Sequence, residues 1–342
     1  MPENAFGLLP PPRGASAEID CLFYFRLIIF RIMVRAKSVH YVLQRRYGEA
    51  RVPKLYLGVD GGGTNCRVRL ADENLNTLAE ATNGRSNLQL EDGDPAYRSI
   101  MDGTRQVFEK AGIDYAETAN TYACFGMAGA RLISARDEFE ARDWPFARVK
   151  VYDDIDIARA GAHEGEDGAV IIVGTGSAGL ALVGEERHQV GGWGFPVGDQ
   201  MSGAILGREL ARITVEAHDG FFEPTPLTQA VLDRLGGDLD TLMDWSFKAE
   251  PADFGSLMPL FIEYYEKGDP IARKLMDLQL SYVDAYVSWF KRRGVEKMAV
   301  VGGFGRRLNP LFVERYGSFI VDPRSEPLHG AVLLAHQHFA NA

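Results

Sequence analysis

From Lys54 onward the chain alternates short apolar runs with amphipathic stretches, and the two periodicities predict strands and helices respectively. "LYLGVD" reads as a strand, "CRVRLAD" as a second with alternating faces, and "LNTLAEAT" as a third after a turn at Glu73–Asn76. An amphipathic helix follows from about Pro95 to Ala111, then a strand "TYACFG", a helix near Ser134 to Ala141, a strand "RVKVYD" and a helix from about Ile155. After "GEDG" the order restarts with "AVIIVG", "GLALVG" and a short "RHQVGGW". A long helical stretch, about Gln200 to Arg293, carries breaking signals at Pro224, Pro226, Gly236, Gly237 and Pro251. The chain then finishes with "KMAVVG", a helix near Leu308 to Tyr316, "SFIVD" and a last helix from Leu328.

The order βββα, βα, βα is thus written twice at a spacing of about 110 residues, which predicts a duplication. The expected lobes are 54–163 and 164–342, the second carrying a helical insertion at about 200–293, with the last helix packing back on the first lobe. Two similar lobes imply a cleft, where ligands usually bind. With 342 residues and 46% hydrophobic composition, the chain is long enough for two such cores.

Residues 1–53 do not share this pattern. Pro10, Pro11 and Pro12 open a loop-like segment, and "CLFYFRLIIFRIMV" is apolar but interrupted by Arg26 and Arg31. It is too short and too charged for the roughly 20 residues of a membrane span, and no secretory signal with a cleavage site is evident. The segment reads as an appended or disordered extension, or as sequence upstream of a later start at Met33, and is assigned no chemistry. Residues 1–54 hold nine Lys/Arg against four Asp/Glu, so of the net charge of −10 the remaining 288 residues carry about −15. An acidic body argues against nucleic-acid binding. Cys21, Cys66 and Cys124 are isolated, which excludes a CxxC knuckle or a disulfide framework and fits a reducing, cytoplasmic setting.

Candidate chemistry starts at the glycines. Gly61, Gly62 and Gly63 join two strands, and the plainest account is a hairpin turn that needs positive φ. A run of bare backbone N–H groups with a Thr64 hydroxyl also makes an anion-binding concavity. The second lobe repeats the device with Gly174, Thr175, Gly176 and Ser177, so two facing turns are placed to clamp a phosphate chain. "GTGSAG" (Gly174 to Gly179) matches the dinucleotide fingerprint GxGxxG, but that motif requires a following helix. "LALVGEE" follows instead and reads as a strand, so the dinucleotide fold is excluded; a GxxxxGK[ST] loop is absent.

Asp60 ends the first strand beside its glycine turn, where a carboxylate is placed to hold Mg²⁺ through water. Asp154 lies at the end of "RVKVYD", just before a helix. Asp153 or Asp154 is expected to cap that helix, and the other to act as the general base for an attacking alcohol; Asp154 is the preferred base, with Asp153 as cap. "GGWGFPVGDQMSG" (Gly191 to Gly203) brings Trp193 and Phe195 into a glycine-rich loop, where Asp199 is placed to accept from a sugar hydroxyl, to cap the next helix, or both. In "VVGGFGRR", Gly302 and Gly303 would let an adenine ring approach the backbone, with Arg306 and Arg307 as nucleotide contacts or a solvated helix start.

Taken as an ordered set, "LGVDGGGTN", "VYDDIDIARAGA", "IIVGTGSAG", "VGGWGFPVGDQMSG" and "VVGGFGRR" resemble the BadF/BadG-type ATPases and N-acetylglucosamine kinases of the actin-like superfamily, over about Lys54 to the C-terminus. The resemblance implies an α/β fold of two duplicated ribonuclease H-like lobes, each a mixed five-stranded sheet with helices on both faces. It implies that the lobes close on ATP, Mg²⁺ and sugar, with phosphorylation of the 6-hydroxyl of an amino sugar. The ATP contacts fall on Gly61 to Thr64, on Gly174, Thr175 and Gly176, and on Gly302 and Gly303. The sugar contacts fall on Asn87, Asp154, Ser177, Gly192, Trp193, Gly194 and Asp199, with Asp154 the base. Ala178 and Phe195 stand where animal N-acetylglucosamine kinases carry Asn and His, so the loop looks more like that of bacterial glucosamine kinases and points to free glucosamine ahead of N-acetylglucosamine. Cys66 and Cys124 lack the context of the cluster ligands in the dehydratase-activating branch. The rivals are an ATPase acting on a protein partner and a sugar-responsive regulator; the sequence shows no helix-turn-helix with a basic face. The expected partner is a small amino sugar, with a homodimer left open.

Overall fold

The computed structural model describes residues 54–340. The expectations for residues 1–53, Cys21 included, lie outside the described residues.

The first unit is β1 (Leu55–Gly61), β2 (Cys66–Ala71), β3 (Thr77–Asn83), α1 (Asp94–Ala111), β4 (Thr121–Met127), α2 (Ile133–Glu140), β5 (Arg148–Asp153) and α3 (Asp154–His163). Its sheet runs β3-β2-β1-β4-β5. β1 pairs antiparallel with β2 and parallel with β4, so the strand carrying Asp60 lies at the centre, buried on both faces, as its nearly unbroken apolar run requires. β6 (Gly168–Val173), β7 (Ser177–Val183) and β8 (Glu186–Gly191) open the second unit. Six helices follow: α4 (Gly203–His218), α5 (Pro226–Arg234), α6 (Leu239–Lys248), α7 (Pro251–Gly255), α8 (Met258–Glu266) and α9 (Pro270–Lys291). The unit closes with β9 (Met298–Val301), α10 (Gly303–Tyr316), β10 (Ile320–Val321) and α11 (Pro327–Phe339). The second sheet, β10-β9-β6-β7-β8, repeats the order and pairing senses of the first.

Each sheet packs helices on its faces. Val59, Val68 and Phe125 meet Ile100, Val107 and Phe108 of α1 on one face of the first sheet. On the other face, Tyr56, Ala71 and Cys124 meet Ile157 of α3 together with Ala331, Val332 and Ala335 of α11, so the last helix lies against the first sheet. Where α3 and α11 cross, a Cβ on Gly330 would stand 2.0 Å from Ile157 O, and one on Gly161 2.3 Å from Glu326 O. The second core gathers Ile171 and Val173 with Leu206 and Leu210 of α4, Phe261 of α8 and Phe290 of α9. Among the described residues no helix is long and apolar enough to cross a membrane.

Some boundaries shift for local reasons. β3 starts only at Thr77 because the Asp72 carboxylate accepts from Asn74 N and Asn76 N and holds the turn before it. The expected strand "SFIVD" shrinks to Ile320 and Val321, since Gly317–Phe319 coil into a 3₁₀ turn. The strand "RVKVYD" ends at Asp153, which places Asp154 in the first turn of α3.

Candidate active site

Both glycine turns sit at strand ends facing the same cavity. In the first, Gly61 pairs with Cys66, leaving 62–65 as the turn; Gly62 N donates to Asn65 O, and Ser86 N and Oγ both donate to Gly62 O. None of Gly61, Gly62 and Gly63 has a positive φ, so the expectation of a turn that needs left-handed backbone is corrected. Only Gly61 is tightly enclosed: a Cβ there would stand 2.5 Å from Met127 Sδ, whereas one on Gly63 would meet nothing within 4 Å and would fill the open concavity. Thr64 is exposed and does not line the cavity. The second turn, Gly174 to Gly176, is stitched to the start of α4, with Gly203 N donating to Gly174 O and Ala204 N to Thr175 O.

A central cavity of about 510 Å³ brings together Gly63, Asn87, Asp154, Gly174, Thr175, Gly176, Ser177, Gly192, Trp193, Gly194 and Asp199. Asp153 caps α3: one carboxylate oxygen accepts from Asp154 N and the other from Gln189 Nε2 at 2.9 Å, so its acceptors are engaged. Asp154 lines both this cavity and a neighbouring one of about 570 Å³ that it shares with Asp60. Enclosure of its carboxyl group, then the Asp153 and Asp60 charges, push the Asp154 pKa well above the ordinary carboxylate range.

Asp60 does not stand alone. Arg67 donates to its Oδ2 through Nε (3.2 Å) and Nη2 (2.5 Å), and through Nη1 to Glu326, the residue before α11, at 2.6 Å. Asp60 Oδ2 is thus engaged. Among the described residues no group of three or more His, Cys, Asp or Glu side chains is arranged to hold a metal. Mg²⁺ needs no such cage when phosphates and waters complete its shell around one or two carboxylates, so Asp60 fits as a water-mediated contact.

The glycine-rich loop is built around Asp199, which is buried, has φ +60° and accepts from Gly194 N at 3.3 Å. Burial raises its pKa, opposed by the Gly194 and Ser177 N–H groups. Gly194 has φ +85°, a conformation that only glycine adopts freely. The expected capping of α4 by Asp199 is corrected: Ser202 is the cap, its Oγ accepting from Ile205 N. Ser177 Oγ is buried and unpartnered on the cavity wall. Trp193 is 72% exposed, with the Arg131 guanidinium 3.9 Å from its ring centroid, so one ring face is covered. Asn87 Oδ1 accepts from Gln89 N.

Gly302 precedes α10 with φ +94°, and a Cβ there would stand 2.5 Å from Val173 O. Gly303 has open space beside it and lines a cavity of about 370 Å³ walled by Met258, Ile262, Phe304 and Thr175, with Arg307 at its edge. An apolar slot that shares Gly174 and Thr175 with the central cavity suits a flat base joined to a phosphate chain. Arg306 lines the other cavity, with Asp60 and Arg67. The two arginines therefore face different cavities.

Sequence reasoning missed Arg131, Gln189 and Gln89, which also line the central cavity. The signal for Arg131 is the run Ala128–Gly129–Ala130 after β4, whose Gly129 has φ +86°. Cys66 and Cys124 are buried, and burial pushes the Cys66 thiol up to about 12, so neither offers an accessible thiolate.

Residues 57–335 match the model of the BadF/BadG/BcrA/BcrD ATPase family. The glucosamine kinase GspK of Vibrio cholerae is 32% identical over 280 residues, 82% of this chain and 95% of that protein. The N-acetyl-D-glucosamine kinase of Dictyostelium discoideum is 28% identical over 313 residues, 82% and 98% of the two chains. A solved structure from Chromobacterium violaceum, described as an N-acetylglucosamine kinase, has a TM-score of 0.73 at 34% identity and covers 82% of this chain and 99% of that one. The ROK hexokinase of Thermus thermophilus, at 14% identity and a TM-score of 0.51, shares the fold. With two matching five-stranded sheets, facing glycine turns and a family match over most of its length, the chain belongs to the BadF/BadG/BcrA/BcrD ATPase family.

Proposed function

We propose that the protein is an ATP-dependent amino-sugar kinase acting on the 6-hydroxyl, with glucosamine the favoured acceptor and N-acetylglucosamine the alternative. The observation that carries the reading is Asp154, enclosed beside two glycine turns on the wall of a sugar-sized cavity. The names of the Vibrio and Dictyostelium relatives support the two acceptors in that order of identity. Asp154 accepts the proton of the sugar 6-hydroxyl as the oxygen attacks the γ-phosphorus of ATP; the bond to the β-phosphate oxygen breaks and ADP leaves. The backbone N–H groups of Gly63, Thr175 and Gly176, on the wall of the central cavity, stabilise the phosphate charge that develops. Mg²⁺, held near Asp60 through water, would neutralise phosphate charge when bound. Adenosine lies at Gly302 and Gly303. Asn87, Ser177, Gly192, Trp193, Gly194 and Asp199 orient the sugar, with the unpaired Ser177 hydroxyl as one of its contacts. Phosphorus NMR of the product tests the reading: a monoester on C6 of glucosamine is expected, and an ester at another carbon would exclude Asp154 as the base for O6.

Gly63 separates a binding role from a structural one. A Cβ there meets no atom within 4 Å and the backbone has no positive φ, so Gly63→Ala should leave the melting temperature nearly unchanged. If the concavity holds phosphate, the same methyl should raise the KM for ATP on the order of tenfold or more, equivalent to about 1.4 kcal/mol. Steady-state kinetics beside a melting curve checks both; an unchanged KM would remove this turn from the phosphate site.

A further inference from the structure

Asp60 and Arg67 are cross-strand partners on β1 and β2, and both Arg67 groups that reach Asp60, Nε and Nη2, donate to Oδ2. Among the described residues none donates to Oδ1. Arg67 turns Nη1 to Glu326, whose other carboxylate oxygen accepts from Arg69 Nη2, and Arg69 donates through Nε to Glu80 at 2.9 Å. Charges thus alternate along Asp60, Arg67, Glu326, Arg69 and Glu80, with Asp60 at the end that shares a cavity with Asp154. Glu326 is the fixed point of this chain. Ser325 N donates to Gly161 O and Arg324 N to Ala162 O, so the turn before α11 is bonded to α3, the helix whose first residue is Asp154. The Glu326 carbonyl lies so close to α3 that a Cβ on Gly161 would stand 2.3 Å from it. One short segment is therefore tied by its backbone to the helix of Asp154, and by its side chain, through Arg67, to Asp60.

Glu326 occupies the N-cap position of α11 but makes no side-chain cap bond. A carboxylate there is well placed to satisfy the helix N–H groups, yet this one is spent on two arginines. The Arg67 and Glu326 side chains are 36% and 43% exposed, and ion pairs that open to water contribute little stability. What the chain supplies is orientation. We propose that Glu326 is a positioning residue: through Arg67 it holds the Asp60 carboxylate with Oδ2 occupied and Oδ1 left for the water-mediated metal contact. This rests on the ATP-kinase reading and adds the two residues that set the carboxylate facing the metal. With Oδ2 taken, Asp60 does not chelate the ion with both oxygens, so the nucleotide phosphates and waters supply most of its shell.

The test uses Mn²⁺ as the probe, titrated by water-proton relaxation into the full chain saturated with ADP, well below its melting temperature. Glu326→Ala is expected to weaken Mn²⁺ binding to the ADP complex roughly 10- to 100-fold, the usual effect of removing a group that orients a metal's carboxylate. ADP affinity without metal should stay within about twofold, a small fraction of a decade. Glu326→Gln, which keeps one acceptor oxygen but not the charge, should recover part of the loss, and it carries the test should the Ala variant not fold. Glu80→Ala breaks the same chain at its outer end without touching Arg67 and should leave Mn²⁺ binding unchanged. The proposal is overturned if the wild-type ADP complex binds no Mn²⁺, or if both Glu326 variants keep the wild-type affinity. An equal loss in Glu80→Ala, or an equal loss of ADP affinity without metal, overturns it too, since either marks a general weakening rather than a displaced carboxylate. If no sugar is phosphorylated, the kinase reading fails on its own, and these titrations, which contain no sugar, still decide the role of Glu326.

Discussion

Asp154→Asn should lower turnover roughly 100- to 10,000-fold, the range for loss of a positioned general base. ATP affinity, measured by nucleotide titration, should change by no more than a few-fold, well under the roughly 1.4 kcal/mol of a tenfold change. In the wild type, kcat/KM should rise with pH as Asp154 loses its proton, with the limb above the ordinary carboxylate range because enclosure and the nearby carboxylates raise its pKa. The same shift bears on stability. A carboxyl group whose folded pKa is raised binds more protons in the folded state, so stability falls as pH rises above the unfolded value of about 3.9. Without nucleotide at neutral pH, the Asn variant should therefore melt higher than the wild type, and the gain should vanish below about pH 3. An inactive but more stable variant separates a functional carboxylate from a structural one. Near-wild-type turnover would remove Asp154 from the base role.

Gly330→Ala should produce a large loss of stability for so conservative a change. Its Cβ would stand 2.0 Å from Ile157 O and 2.5 Å from Gly161 N, and both are backbone atoms that no rotamer change moves away. α3 and α11 must then separate, opening the buried contact of Ile157 with Val332 and Ala335. Overpacking of this kind costs about 3 kcal/mol or more, a fall in melting temperature on the order of 5–10 °C. Calorimetry on the variant checks it, with Gly63→Ala as the control that adds a methyl to open space. An unchanged melting temperature would mean that the two helices do not cross at this distance.

Much of the strand order was legible because each sheet is built from short runs whose periodicity is local. β1 and β6 are apolar on nearly consecutive positions, and the strands pair as those runs suggest. What the residues do not spell out is set by distance along the chain. Arg67 meets Glu326 across 259 residues, and no pattern around Asp60 announces that its Oδ2 is engaged. The glycine turns were legible as places for small residues, but their reason was not: Gly61 answers to Met127 from another strand, and no positive φ is involved. The cap of α4 falls on Ser202 rather than Asp199 because Asp199 is turned inward, with its carboxylate accepting from Gly194 N. Arg131 escaped notice because an arginine in a loop reads as solvated until the fold brings Trp193 beneath it.

ADP formation should be followed in a coupled assay with ATP and Mg²⁺, first without sugar and then with glucosamine, N-acetylglucosamine or glucose in turn. Slow ADP release without sugar and a large acceleration by glucosamine are expected, with N-acetylglucosamine second and glucose behind. ADP formation at the same rate with and without every sugar would contradict it, and would favour an ATPase acting on a protein partner.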